Sequence, residues 1–219
     1  MPDKSARQTR DAAYSTTKNH GERVQSGNVA VSLLCRFGVW EDNFLTRHPE
    51  SLAALVALHR EIDDKATDLV QHHGPRMLCQ KGCHDCCRDD LTVFEIEAMR
   101  ITTLSADLLE KEAPHPPGAC AFLNEEGACR IYEHRPYVCR TQGLPLRWIE
   151  EEDGEWVEYR DICPLELDQI APETLEEDEC WTLGETEGKL AALQMQMDDG
   201  KGRRISLRSL FQHSGTWEV

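Results

Sequence analysis

Four cysteines stand within nine residues, Cys79-Gln-Lys-Gly-Cys83-His-Asp-Cys86-Cys87. This run constrains the fold more than any pattern around it. Spacings of two and three residues let a tight turn aim successive thiolates at one point, and Gly82 can supply the unusual backbone angle such a turn often requires. Soft thiolates select zinc, copper(I) or iron–sulfur centres over magnesium or calcium. Neighbouring side chains point in different directions. Cys86 and Cys87 are therefore poorly placed to ligate one tetrahedral ion together. Either one is a structural thiol, or the two serve different metal atoms.

Further thiols follow at Cys120, Cys129, Cys139 and Cys163. With the first four they make eight candidate ligands, which is arithmetically two four-thiolate centres. Cys35 and Cys180 lie outside the dense region and read as buried or surface thiols. The N-terminal stretch has no apolar core of a secretory signal, and no apolar run approaches the roughly 18 residues of a membrane helix. A cytoplasmic location is therefore expected, where disulfides rarely persist. That favours metal binding or thiol chemistry as the use of ten cysteines.

The 219 residues suffice for one sizeable domain with appendages. The net charge of −16 is uneven. Between Glu150 and Glu187 there are sixteen acidic residues against one basic residue, Arg160. Nucleic acid is thus an unexpected partner, because binding it takes a clustered positive surface. The acidic stretch reads either as a solvated face or as a docking surface for a basic protein partner.

Residues 1–28 are polar and aperiodic and read as a disordered or loosely held tail. Residues 29–75 form a helical N-terminal segment. Its apolar run from Val29 to Cys35 is too short to separate helix from strand. From Pro49 to His72, the positions Leu52, Leu55, Val56, Ile62, Ala66, Leu69 and Val70 make one helical stripe. Gly74-Pro75 ends it. Residues 76–168 form the cysteine-rich core. Within it, Thr92-Val-Phe-Glu95 has the spacing of a capping box ahead of a helix to Leu104. A short helix over Ala106–Glu112 follows, then an irregular Pro114–Gly118. Cys120 and Cys129 flank the turn Asn124–Gly127, which predicts a small hairpin that brings them together. A second hairpin is predicted over Leu146–Glu150 and Glu155–Tyr159 around Asp153-Gly154. C-terminal helices are expected over 169–219: one within Glu173–Trp181, one over Glu185–Met197 and a short element near Ser206–Phe211. The fold class expected is α+β and mainly helical, with short β-hairpins and helices packed around a metal core.

The pattern Cys-x-x-x-Cys-x-x-Cys-Cys, then Cys120-Ala-Phe-Leu, then Cys129-Arg-Ile-Tyr-Glu-His-Arg-Pro-Tyr-Val-Cys139-Arg, resembles the YkgJ-type cysteine-cluster family, also described as a zinc- or iron-chelating domain. The resemblance runs from about Cys79 to Cys163. The family commonly places two residues between its first cysteines, where this chain has three. Cys163-Pro164 resembles the family's later Cys-Pro element. The resemblance implies that Cys79, Cys83, Cys86, Cys87, Cys120, Cys129, Cys139 and Cys163 hold zinc or an iron–sulfur cluster. A related block occurs in flagellin lysine N-methylases, described with an iron–sulfur centre and S-adenosylmethionine. The likeness extends to the cysteine block alone.

The spacing Cys79, Cys83, Cys86 is also that of radical S-adenosylmethionine enzymes. Asp85 stands where that superfamily favours an aromatic, and the chain lacks alternating strands and helices for a partial barrel. His84, His115 and His134 lie near cysteines as neighbours or outer donors. Arg135 and Arg140 could stabilise a thiolate centre or hold an anion, or simply pair with a carboxylate. Three functional classes follow. The first is a structural or sensory metal protein, and the second an iron–sulfur protein in electron transfer or a methylase-like modification. The third is a zinc-stabilised adaptor that docks through its acidic segment. The residues nominate no catalytic nucleophile, and whether the chain is an enzyme stays open.

Overall fold

The computed structural model describes residues 48–79 and 82–212. The expected tail over 1–28, the run Val29–Cys35 and Cys35 itself lie outside them. The first element, α1 (Pro49–His73), carries the predicted stripe. Leu55, Leu58, Ile62 and Leu69 are buried on it, with Leu52, Ala66 and Val70 packed at the margins. Full burial of a leucine or isoleucine contributes roughly 1.5–3 kcal/mol, so this one face fixes α1 to the domain. Gly74, at φ +54°, ends the helix and donates its N–H to the Val70 carbonyl.

Two helices close over that face: α2 (Glu95–Leu104) directly, and α5 (Glu185–Met197) beside it. Between them in sequence come α3 (Ala106–Lys111) and a one-turn α4 (Tyr137–Arg140). Ile96, Leu144, Trp181 and Leu190 complete the core under α1. A second apolar cluster lies on the other side of α2. It contains Val93, Ile101, Phe122, Ile131, Leu207 and Leu210, and Cys120 belongs to it.

The sheets are small. Strand β1 (Thr92–Phe94) pairs antiparallel with β5 (Arg204–Ser206). Strands β2 (Leu146–Glu152) and β3 (Glu155–Asp161) form the second predicted hairpin, longer than expected by two residues on each strand. Asp153 and Gly154 turn it with φ of +53° and +87°, the left-handed pair that matches strand twist in a two-residue turn. β4 (Trp181–Thr182) joins β2 on its other edge in parallel. Among the described residues, no helix is long and apolar enough to cross a membrane.

Two local expectations need correction. The capping box at Thr92–Glu95 does not form, because Thr92 opens a strand. Its carbonyl accepts from Arg204 Nη2 at 2.7 Å and its hydroxyl from Arg204 Nε at 3.1 Å. Glu95 is paired with Arg203 at 2.8 Å. Both would-be capping groups are thus committed to the C-terminal strand. Within Glu173–Trp181, only two 3₁₀ turns appear, Pro172–Thr174 and Glu177–Glu179. Like charges that a helix would stack three and four apart, Glu176 with Glu179 and Glu173 with Glu177, disfavour a longer helix there.

Buried polar contacts lock the layers. Glu97 Oε1 accepts the Tyr137 N–H at 2.7 Å and meets His59 Nε2 at 3.1 Å. One carboxylate thus ties α1 and α2 to the first residue of α4. Asp198 ends α5 and accepts from Gln194 Nε2, Lys201 N–H and Arg203 N–H at 2.8–3.0 Å. Its own burial raises its pKa. The N–H groups of Arg203, Gly202 and Lys201, with the Gln194 amide, outweigh that and bring it down to about 2.

Candidate metal centre

The second apolar cluster holds Cys120, with Cys87 and Cys129 packed against it, and Val138, the neighbour of Cys139, packs there too. Cys87 comes from the turn after Cys83, Cys120 and Cys129 from the two sides of a tight turn, and Cys139 from α4. Cys87 N–H donates to the His84 carbonyl at 2.9 Å, which closes the first turn. Cys120 N–H donates to the Cys87 carbonyl at 2.8 Å and joins the two segments. The predicted Cys120–Cys129 hairpin appears as one bridge, Leu123 with Cys129, closed by Asn124 N–H to the Ala128 carbonyl at 2.9 Å. Gly127 takes φ +77° in that turn. The Glu97 contact to Tyr137 sets the start of α4 and with it Cys139.

Two of these thiols, Cys120 and Cys139, are strongly shifted. Burial pushes the Cys120 thiol up to about 12. The Phe122 N–H opposes the shift, while Cys87 and Cys129 add to it. Burial likewise raises Cys139 well above the ordinary thiol range. Cys120, Cys129 and Cys87 raise it further, and Arg135 opposes them. Four segments thus deliver Cys87, Cys120, Cys129 and Cys139 to one neighbourhood. Among the described residues, no three Cys, His, Asp or Glu side chains already stand in metal-holding geometry. In donor chemistry the four fit zinc or iron–sulfur. As protonated thiols they are packed like small apolar side chains.

The other four are arranged separately. Cys86 is buried but is not a member of that cluster. Cys79 and Cys163 are buried, and Glu166, fully buried, links their backbones. Its Oε1 accepts the Cys79 N–H at 3.3 Å, and its own N–H donates to the Cys163 carbonyl at 2.8 Å. Cys83 is half-buried. Cys180 is buried among Ile162, Ile170 and Leu175, the setting of a core thiol.

The histidines and arginines take other places. His84 is exposed; its Nδ1 meets the Gly82 carbonyl at 2.9 Å, and its ring lies against Gly127. His115 accepts from Arg208 through its carbonyl. His134 sits in the turn before α4, half-buried. Arg140 pairs with Asp63 of α1 at 2.7 Å. Arg135 lies 3.7 Å over the Tyr132 ring, and its Nη1 donates to the Cys139 carbonyl at 3.4 Å.

Three residues were missed from sequence. Glu166 stands three positions after Cys163 with Pro164 between, which is the spacing of a helix start and was a readable signal. Asp89 and Arg208 are 119 residues apart, form an ion pair, and give no local signal.

Residues 78–164 match the model of the CxxCxxCC family, described as "Putative zinc- or iron-chelating domain". The chain thus carries the cysteine block that its spacing suggested. Comparison with curated proteins and with solved structures finds no match.

Proposed function

We propose that the CxxCxxCC segment is a thiolate metal centre held by Cys87, Cys120, Cys129 and Cys139, with Cys79, Cys83, Cys86 and Cys163 as a second set. The observation that carries this is geometric: Cys120 lies in one apolar cluster with Cys87 and Cys129 packed against it, Val138 beside Cys139 packs there too, and the Cys120 N–H bonds the Cys87 carbonyl at 2.8 Å. When bound, a soft metal ion or cluster supplies the positive charge that draws such thiols together as thiolates. The chain's own part is to desolvate them, to exclude water with Phe122, Ile131 and Leu207, and to offset their charge with Arg135. Binding releases the thiol protons, so affinity rises with pH.

The donor set accepts zinc and an iron–sulfur centre alike. Elemental analysis of protein purified without oxygen, with acid-labile sulfide measured alongside, separates them. Iron with matching sulfide means a cluster and leads toward electron transfer or a modification reaction. Zinc without sulfide means a structural or sensory site. A protein that holds neither, and takes up neither on reconstitution, overturns the proposal.

One observation favours an added adaptor role. The β2–β3 hairpin carries Glu150, Glu151, Glu152, Asp153 and Glu155 at its tip, and Trp156 there is 74% exposed. An exposed tryptophan ringed by carboxylates suits a basic partner. Trp156→Ala should weaken capture of such a partner and leave metal content unchanged.

A further inference from the structure

The matched segment ends at residue 164, yet the C-terminal chain reaches back onto it. After β5, a 3₁₀ turn over Arg208–Phe211 lays Leu207 and Leu210 into the cysteine-bearing cluster. Those leucines suffice to dock the turn. Arg208 does something different, because all its donors go to the segments that deliver Cys87 and Cys120. Its Nε pairs with Asp89, two residues after Cys87. Its Nη1 donates to the His115 carbonyl at 2.8 Å. Its Nη2 donates to the Ala119 carbonyl at 2.9 Å and the Pro116 carbonyl at 3.4 Å. Asp89 Oδ2 in turn accepts the Gly118 N–H at 3.0 Å.

The loop from Pro114 to Gly118 has no ladder of its own to fix it. Its three prolines lack donors. One guanidinium answers two of the loop's carbonyls and that of Ala119, and holds Asp89 at the same time. The residue next to Ala119 is Cys120, whose N–H meets the Cys87 carbonyl. A shift of this loop therefore moves the two thiols relative to each other.

We propose that Arg208, outside the family segment, is a positioning residue that sets the spacing of Cys87 and Cys120 for metal binding. The inference rests on the chelation reading above. Groups that orient ligands without touching the metal are worth roughly 10- to 100-fold in metal affinity.

The test uses the full chain, wild type and three variants: Arg208→Met, Arg208→Lys and Arg204→Met. Arg204 sits on the same C-terminal strap but donates to Thr92, so it reports loss of strap docking alone. Two readouts are taken: amide exchange at Cys120 in metal-free protein, and anaerobic cobalt(II) titration followed by thiolate-to-cobalt absorption. Arg208→Met should speed Cys120 exchange about tenfold or more, weaken cobalt binding about 10- to 100-fold, and shift the absorption band. Arg208→Lys keeps the charge for Asp89 but lacks the fork, and should fall between. Arg204→Met should bind as wild type does. If Arg208→Met fails to fold, Arg208→Lys against Arg204→Met carries the comparison. Wild-type affinity in the Arg208 variants, or equal loss in Arg204→Met, overturns the positioning role alone. A wild-type protein that takes up neither cobalt nor, on reconstitution, iron with sulfide overturns the chelation reading and this one with it.

Discussion

Gly127 offers the sharpest test of the turn between Cys120 and Cys129. It sits at φ +77°, where a side chain is strained by roughly 1–2 kcal/mol. A Cβ added there would also stand 2.6 Å from His84 Nδ1 and 2.8 Å from Cε1, well inside contact distance. His84 is exposed and can swing away, but it then leaves the Gly82 carbonyl, a loss of about 0.5–1.5 kcal/mol. Gly127→Ala should therefore cost about 2–3 kcal/mol in all. For a chain of this size that lowers Tm by roughly 4–12 °C. The assay is thermal or urea unfolding of wild type, Gly127→Ala, His84→Ala and the double variant. The double variant should recover the steric share, a coupling of about 1 kcal/mol, and retain the backbone share. Unchanged stability in Gly127→Ala would refute the turn geometry. Full additivity would refute the His84 contact that joins the two cysteine loops. Metal affinity, measured alongside, should fall in Gly127→Ala, since the same turn spaces Cys120 and Cys129.

Three further outcomes follow from the packing. Cys120→Ser should release metal, whereas Cys180→Ala should keep it and lose only core stability, as metal analysis of the two purified variants will read. Glu166→Leu should cost roughly 2–3 kcal/mol, because the Cys79 N–H is left without its buried acceptor, and urea unfolding measures it. Asp198 has a folded pKa of about 2, below its ordinary 3.8. Its contribution is complete above pH 4 and is lost as pH falls through 2. Between pH 4 and pH 2 the wild type should therefore lose more stability than Asp198→Asn. Parallel pH profiles would contradict that assignment.

The sequence carried those parts whose cause is local. The stripe on α1 is periodic, and Gly74-Pro75 stops it within one residue of the expected end. Asp153-Gly154 sets the β2–β3 turn because only two left-handed residues close it. What was not legible depends on contacts between distant segments. Thr92 and Glu95 have the spacing of a cap, but Arg203 and Arg204 claim them once β5 arrives. Glu166 is one carboxylate among sixteen in an acidic stretch; its spacing after Cys163-Pro164 marks a turn start, but its burial against Cys79 is a long-range contact with no local mark. Arg208 gave no sign, since its four acceptors lie about 90 to 119 residues earlier.

The same separation bears on why the proposed metal centre would sit here. Cys87, Cys120, Cys129 and Cys139 belong to loops and single turns, where the chain has little regular hydrogen bonding to hold it. Apolar contact from Phe122, Ile131 and Leu207 brings those loops together, but contact alone is non-directional and leaves four neutral thiols at packing distance. A centre that takes all four as thiolates would close three loops at once. Closure of each removes chain entropy from the unfolded state, and more so for the long stretch between Cys87 and Cys120. Metal would then add most stability where the fold is least regular, and metal removal should loosen the 113–130 region before it loosens α1. Amide exchange of the metal-free protein compared with the loaded one reads this directly. Protection gained uniformly across α1 and the cysteine loops would contradict it, and protection gained chiefly at Cys120–Arg130 is the expected result.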